Sequence, residues 1–508
     1  MCRFLYLIIL FVPFWGSAQN VKYSLNPDLI YQLESELDWE SNTHTSIKPF
    51  LKSGINSPSL LGSEKKRFFK RFFEKKIASF SVYPILNASG IFSNDSIKAY
   101  PSYLYGLGLN ASIAQKLAGG FNLAQGNQAN VPWIDSLIKT QQVVPGYGVA
   151  RTNATGYMFT YMDFYLNYKV SEHFLFEIGK GKHFIGDGYR SLLLSDNTAP
   201  YPYFKILTNA WKFNYFNLWG VLNNYDYLAN KSHYKLMALH YLSFKPSKRW
   251  TLAFFENIIY ANRDTSGKSI RADVNYFNPV VFFRPVEYSL GSADNAFMGF
   301  NIKFKPAKNH ELYGQIMIDE FFLTFIRKRN GWWANKQAFQ GGYKWFNVFK
   351  LKGLGIQAEA NYIRPYTYSH ALITQNYAHL NQSLAHPLGA NCIEAIGIIR
   401  YQYHQFILEG KANLIKYGED YNGKNYGGNI FNSYTLRPSD FGNYTTQGFL
   451  TNRSHLTLRA SYYIWPKASM SINAGVIYRI KASASDKYSF QGIFVGIQSR
   501  LFNSYTDY

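Results

Sequence analysis

From about Ser79 to its last residue the chain runs as short stretches in which apolar and polar side chains alternate. A period of two restricts such stretches to half-buried β-strands. In residues 158–170, Met158, Met162, Phe164, Leu166, Tyr168 and Val170 share one face, and Tyr161, Asp163, Tyr165, Asn167 and Lys169 share the other. Ser171, Glu172 and His173 make a turn, after which Phe174, Phe176 and Ile178 resume the apolar face. The same rhythm brackets residues 466–469, with Leu456, Leu458, Tyr462 and Ile464 before them and Ile472, Val476, Tyr478 and Ile480 after. A greasy face backed by a wet one, strand after strand, suits a wall with lipid outside and a polar interior. No apolar run approaches the roughly 20 residues that a spanning helix needs. The expected fold is all-β, an outer-membrane antiparallel β-barrel.

Four tight turns stand out, at residues 171–173, 245–248, 306–309 and 466–469. Such barrels keep short connections in the periplasm and long ones outside. Placing these turns accordingly gives a path of about 18 strands, an even number whose last member ends in the periplasm. The long outer connections are then 126–157, 182–201, 261–295, 364–392 and 417–455. The last is rich in Asn, Gly and Tyr, a composition suited to an exposed contact surface. The chain divides into a signal peptide (1–18), a small helical periplasmic segment (19–78) and the barrel (79–508).

Arg3 before the apolar stretch 4–15, with small residues at Gly16 and Ala18, predicts cleavage after Ala18. Residues 27–39 have helical spacing, with Leu29, Ile30, Leu33 and Leu37 on one face. Residues 63–77 interleave Lys65, Lys66, Arg67, Lys70, Arg71, Lys75 and Lys76 with four phenylalanines. That basic amphipathic helix either lies on an anionic membrane surface or packs its phenylalanines on the barrel's periplasmic rim.

Mean hydropathy is −0.22, too polar for a helical membrane protein but natural where only alternate residues meet lipid. Forty-two Tyr and 41 Phe suit aromatic girdles at the two interfaces. A formal charge of +22 either attracts acidic glycans to a basic lumen or rim, or faces anionic lipid headgroups. It is dispersed and accompanied by no DNA- or RNA-binding motif, so no nucleic acid partner is expected. With Cys2 removed, only Cys392 remains, which excludes an internal disulfide or a cysteine metal site. The eleven histidines show no metal-ligand spacing. Asp319 and Glu320, adjacent on a strand, are expected on opposite faces and hence not a catalytic dyad. No enzyme activity, cofactor or metal is expected.

Two stretches are more specific than the architecture. Residues 179–202 place Gly179, Lys180, Gly181 and Lys182 before a Gly186-Asp187-Gly188 turn, then Arg190, Ser195-Asp196-Asn197 and Pro200-Tyr201-Pro202. Further on, Asn278-Pro279 and Arg284 precede Asp294-Asn295 and Gly299. Together they resemble the signature of the Wzi family of capsule-assembly outer-membrane proteins, with residues 44–49 a softer match. The nearest flavour is the RemB-type branch, which is associated with gliding motility. At Phe184-Ile185-Gly186 the chain departs from the usual Trp-Gly-Pro, so glycan specificity is not carried over. The resemblance implies a non-catalytic barrel that binds or organises exported polysaccharide at the cell surface, in support of gliding motility where that branch applies. Its partners would be outer-membrane lipid and surface polysaccharide, with room for a periplasmic or motility-machinery partner. The alternative is a porin or specific uptake channel.

The motif residues allow two readings. The glycines permit tight turning or close backbone approach, and Pro200 and Pro202 stiffen the returning loop. Lys180, Lys182 and Arg190 then present charge at the outer mouth beside Ser195 and Asn197, or the whole loop folds inward and plugs the lumen. Arg284 either holds an acidic sugar or pairs with Glu287 or Asp294.

Overall fold

The computed structural model describes residues 20–37, 41, 43–52, 78–93, 98–114, 116–226, 229, 231–261, 274–280, 294–484 and 486–508. Eighteen antiparallel strands close into a barrel, numbered here β1–β18. They are β1 (Ala78–Ser93), β2 (Ala99–Ile113), β3 (Leu117–Gln128), β4 (Gly156–Lys169), β5 (Phe174–Gly181) and β6 (Tyr201–Ala210). Next come β7 (Phe213–Asp226), β8 (Lys231–Phe244), β9 (Trp250–Ala261), β10 (Asn295–Phe304), β11 (His310–Glu320) and β12 (Lys336–Phe346). The last third is β13 (Leu354–Ile363), β14 (Cys392–Tyr403), β15 (Phe406–Glu419), β16 (Phe449–Trp465), β17 (Met470–Ser483) and β18 (Lys487–Ser499). Each strand pairs with its sequence neighbours, and β1 closes on β18 through residues 87–93 against 492–498.

The alternation sorts as the physics requires. Phe164, Leu166, Ile178, Leu312, Ile399, Leu458 and Val476 point outward and are exposed, as lipid-facing residues must be. At the periplasmic ends aromatic pairs form part of a girdle, Phe213 stacking on Phe244 with ring centroids 4.6 Å apart and Trp250 on Phe304 at 4.2 Å. This closed barrel with its apolar belt belongs in the outer membrane. Among the described residues no helix is long and apolar enough to cross a membrane.

Strands outlast their apolar signal at the outer ends. β16 begins at Phe449, whereas alternation against lipid is visible only from about Leu456, because Thr451, Asn452 and Arg453 stand beyond the belt. Asp319 and Glu320 do not diverge to opposite faces. A register shift between Ile318 and Glu320 lets both carboxylates reach the Lys336 ammonium, each at 2.9 Å.

The lumen is filled. At its periplasmic end lies the segment expected ahead of the barrel, of which residues 20–37 and 43–52 are largely described. Its helix α1 (Pro27–Glu36) starts at Asn26, whose side chain accepts the Asp28 amide at 3.0 Å. Leu29 and Leu33 pack with Tyr23 and Phe50. The polar side of α1 meets inward-facing strand residues. Asp28 is ion-paired to Arg459 at 2.7 Å and Arg500 at 3.2 Å, and Glu34 to Lys344 at 2.6 Å and Lys48 at 2.9 Å. Burial alone would raise the Asp28 carboxyl, but Arg459, Arg500 and Arg400 hold it well below the ordinary carboxylate range. Lys22 reaches Glu177 on β5 at 2.9 Å. Residues 1–18 and 63–77, assigned above to a leader and a basic helix, lie outside the described residues.

Two further elements enter the lumen, the first from the periplasmic end and the second from the outer end. After β18 the chain turns into the lumen, burying Phe502, Tyr505, Asp507 and Tyr508. Between β3 and β4, helix α2 (Pro132–Gln141) buries Ile134 and Ile138.

Candidate functional site

The loop joining β5 to β6 folds inward. Leu192, Leu193 and Leu194 are each 0% exposed and belong to the main apolar cluster of the lumen. Its backbone groups are satisfied from inward-facing strand and loop side chains: Gln315 accepts the Leu192 amide at 2.8 Å, and Tyr368 and Tyr377 donate to the Leu192 and Leu193 carbonyls at 2.9 and 2.6 Å. Glu359 accepts the Tyr189 and Arg190 amides at 2.6 and 3.1 Å. Gly188 sits where a Cβ would lie 2.5 Å from the Glu359 carboxylate.

Arg190 anchors the loop. Its guanidinium donates through Nε and Nη2 to Glu394 on β14, the shorter contact being 2.8 Å, and pairs with Asp507 at 3.0 Å. His386 also meets Glu394, at 2.7 Å, while Lys411 and the Tyr189 hydroxyl meet Asp507. Loop, wall and final segment therefore share one buried ionic knot. Its charges oppose one another closely, as buried charges must.

Of the residues singled out from sequence, several serve this plug. Lys182 is buried over the Phe502 ring, 3.3 Å from its centroid, and burial, opposed by Asp196, brings its ammonium down to about 7. Ser195 and Asn197 bond to the 364–391 loop through Ser195 N–Leu384 O (2.7 Å) and Asn197 Nδ2–Ser383 O (3.1 Å). Lys182 and Arg190 thus do not present charge at the mouth, because both side chains are spent on internal partners. Lys180 instead continues the outward row of Phe174, Phe176 and Ile178. Gly179 and Gly181 face inward at the end of β5, Pro200 is buried, and Pro202 faces outward on β6. Asp294 accepts from Tyr276 at 3.0 Å and from Gln375 at 3.3 Å, and Asn295 donates to the Gln375 carbonyl at 3.0 Å. Asn278 caps a local turn by accepting the Val280 amide at 3.0 Å, and Pro279 takes the Tyr215 hydroxyl on its carbonyl. Arg284 lies outside the described residues.

Gly186 has little freedom to change. Its φ of 148° is disfavoured for other residues, and a Cβ there would stand 2.5 Å from the Gln315 amide nitrogen, itself bonded to the Ile185 carbonyl. Gly186→Val is expected to cost about 1–3 kcal/mol, read as a lower chemical-unfolding midpoint in detergent. Gly341→Ala, where a Cβ meets nothing within 4 Å, should stay within about 0.5 kcal/mol of the parent.

Above the plug, the outer loops enclose a cavity of about 840 Å³. Trp133 and Leu137 of α2 form one side, Asn224, Asp226 and His233 of the β7–β8 hairpin another, and Asn429 and Asn432 of the 420–448 loop a third. Tyr417, Glu419, Arg453, Arg479 and Tyr508 complete it. Arg453 lies over the Tyr417 ring at 4.6 Å and donates to its hydroxyl. The buried Arg453 Nε has no hydrogen-bond partner among the described residues. Arg479 stacks on Trp133 at 4.7 Å and donates to the Tyr508 carbonyl at 2.8 Å. Of this wall, sequence reasoning had the outer loops 126–157, 364–392 and 417–455, the last alone chosen on composition as a contact surface. The spacing of Ile134 and Ile138 would have revealed α2, but nothing local marks Arg453 or Arg479, which the adjacent strands β16 and β17 bring to the rim beside Tyr417 and Trp133. Among the described residues no group of His, Cys, Asp and Glu has metal-binding geometry.

No family profile matches the sequence, and no curated protein matches it. In structure, the chain is similar to Wzi of Escherichia coli, described as an outer-membrane protein involved in group 1 capsule assembly and a carbohydrate-binding β-barrel. The overlay has a TM-score of 0.55 at 14% identity and covers 95% of this chain and 100% of that one. Pseudomonas aeruginosa OccK8 (OprE) overlays at a TM-score of 0.44 with 9% identity, over 82% of this chain and 97% of the other. The first likeness establishes a shared barrel fold.

Proposed function

We propose that this barrel binds exported polysaccharide at the cell surface, in the cavity its outer loops enclose, and performs no chemistry on it. The observation that carries this reading is the composition of the cavity wall. Trp133 offers an aromatic surface for a sugar ring, amides offer paired donors and acceptors, and Arg453 and Arg479 bring guanidinium charge to the wall. Arg453 and Arg479 share the wall with Asp226, Glu419 and Asp420, so carboxylate or other acidic substituents are favoured beside the guanidinium groups. The solved barrel whose fold it shares is described as carbohydrate-binding, which supports the same reading.

Arg453→Ala is expected to lower retention of an acidic capsular polysaccharide by about ten-fold, the loss of one charged contact. Neutral polysaccharides should be unaffected. The check is surface-retained polymer on cells carrying equal amounts of folded barrel. Equal retention by parent and variant across acidic and neutral polymers would remove the cavity from the mechanism. The resemblance to the motility branch adds that the retained polymer serves surface movement. Spreading on agar is therefore expected to fall in the Arg453→Ala strain together with retention.

A further inference from the structure

Between β11 and β12 the chain forms one short helix, α3 (Leu323–Lys328). Here, unlike in the 182–200 loop, the apolar side chains stay outside. Phe321, Phe322, Leu323 and Ile326 are 40–50% exposed. Arg327, Lys328 and Arg329 follow immediately, all exposed. The carboxylates beside them are already engaged, Glu320 with Lys336 at 2.9 Å and Asp440 with Arg437 at 2.6 Å.

The patch is held in place. Phe325 stacks on Trp332 with centroids 4.6 Å apart, and Trp332 packs on Phe441 at 5.0 Å. The Gly442 and Asn443 amides donate to Asn330 and Gly331 at 2.9 Å. It also continues an existing surface. Leu312 and Ile316 on β11 and Phe339 on β12 belong to the outward belt, and the patch stands at the outer end of those two strands.

We infer that this patch is a docking site for a phosphorylated glycolipid of the outer leaflet. Its apolar residues extend the belt to the headgroup boundary, where large apolar and aromatic groups settle. Arg327, Lys328 and Arg329 stand at that boundary, where guanidinium groups take phosphate oxygens in pairs. The site is separate from the polysaccharide cavity and does not depend on it.

The test places the photoreactive residue p-benzoylphenylalanine at position 322 of the full chain in intact cells. After irradiation, the barrel is purified and the mass of any adduct is measured. The expected adduct is a phosphorylated glycolipid, and its yield should fall about ten-fold in R327E/K328E/R329E. The milder R327Q/K328Q/R329Q set, at exposed positions, is carried alongside, and heat-modifiable gel mobility confirms that each barrel is folded. A phosphate-free adduct, an undiminished yield in both charge variants, a protein-sized adduct, or no adduct at all would overturn the assignment.

Discussion

Replacing Arg190 with methionine is expected to cost about 3–5 kcal/mol of stability, the price of breaking a buried ionic cluster from one side. The guanidinium is 0% exposed and contacts Glu394 and Asp507, which are 0% and 1% exposed on their side chains. Methionine fills similar volume but leaves both carboxylates without the guanidinium, with Lys411 beside Asp507 and the His386 imidazole beside Glu394. Arg190→Lys keeps the charge but not the two-pronged grip on Glu394, so an intermediate loss is expected. Equilibrium unfolding in detergent, followed by heat-modifiable mobility, gives the number. An unchanged midpoint for Arg190→Met would mean that water reaches those carboxylates and that the knot is not buried in solution.

In a planar bilayer the intact protein is expected to show no large, steady conductance. An empty barrel of this size would enclose an aqueous channel, but here the bore is crossed at successive depths by α1, by the 182–200 loop and by the segment after β18. Removing residues 20–52 alone should leave the conductance near the parent's, because the loop and its Arg190 knot still cross the bore. Removing them together with residues 183–199, bridged by a short Gly-Ser linker, and with residues 501–508 is expected to raise it, though below an empty barrel's value because the 364–391 loop stays in the lumen. Large conductance from the intact protein would instead favour an uptake channel and turn the interior segments into movable gates.

The wall of this protein was far more legible than its contents. Lipid selects every second residue, so Phe164, Leu166 and Tyr168 declare a strand and its outward face together, and hairpins such as 171–173 fix direction. The outer ends of strands were less clear, since above the belt both faces are polar and Thr451–Arg453 reads like a loop. The interior obeys no period at all. The Leu192-Leu193-Leu194 run was the available clue that the motif loop is buried, because three consecutive leucines seldom face water. The partners of Arg190 could not be read, since Glu394 and Asp507 arrive from strands and segments remote in the chain. Arg453 became a site residue only once Tyr417, α2 and the final segment were seen around it.

The Asp507–Arg190 contact also makes the interior depend on the far end of the chain. The 182–200 loop leaves the wall early in the chain and the segment bearing Asp507 follows the last strand, so the latch is complete only once that segment has docked. Arg500 meanwhile meets Asp28, so the same closing step fastens the first helix. A barrel caught before that moment would have its sheet in place and its interior still loose, open to proteases from the periplasmic side.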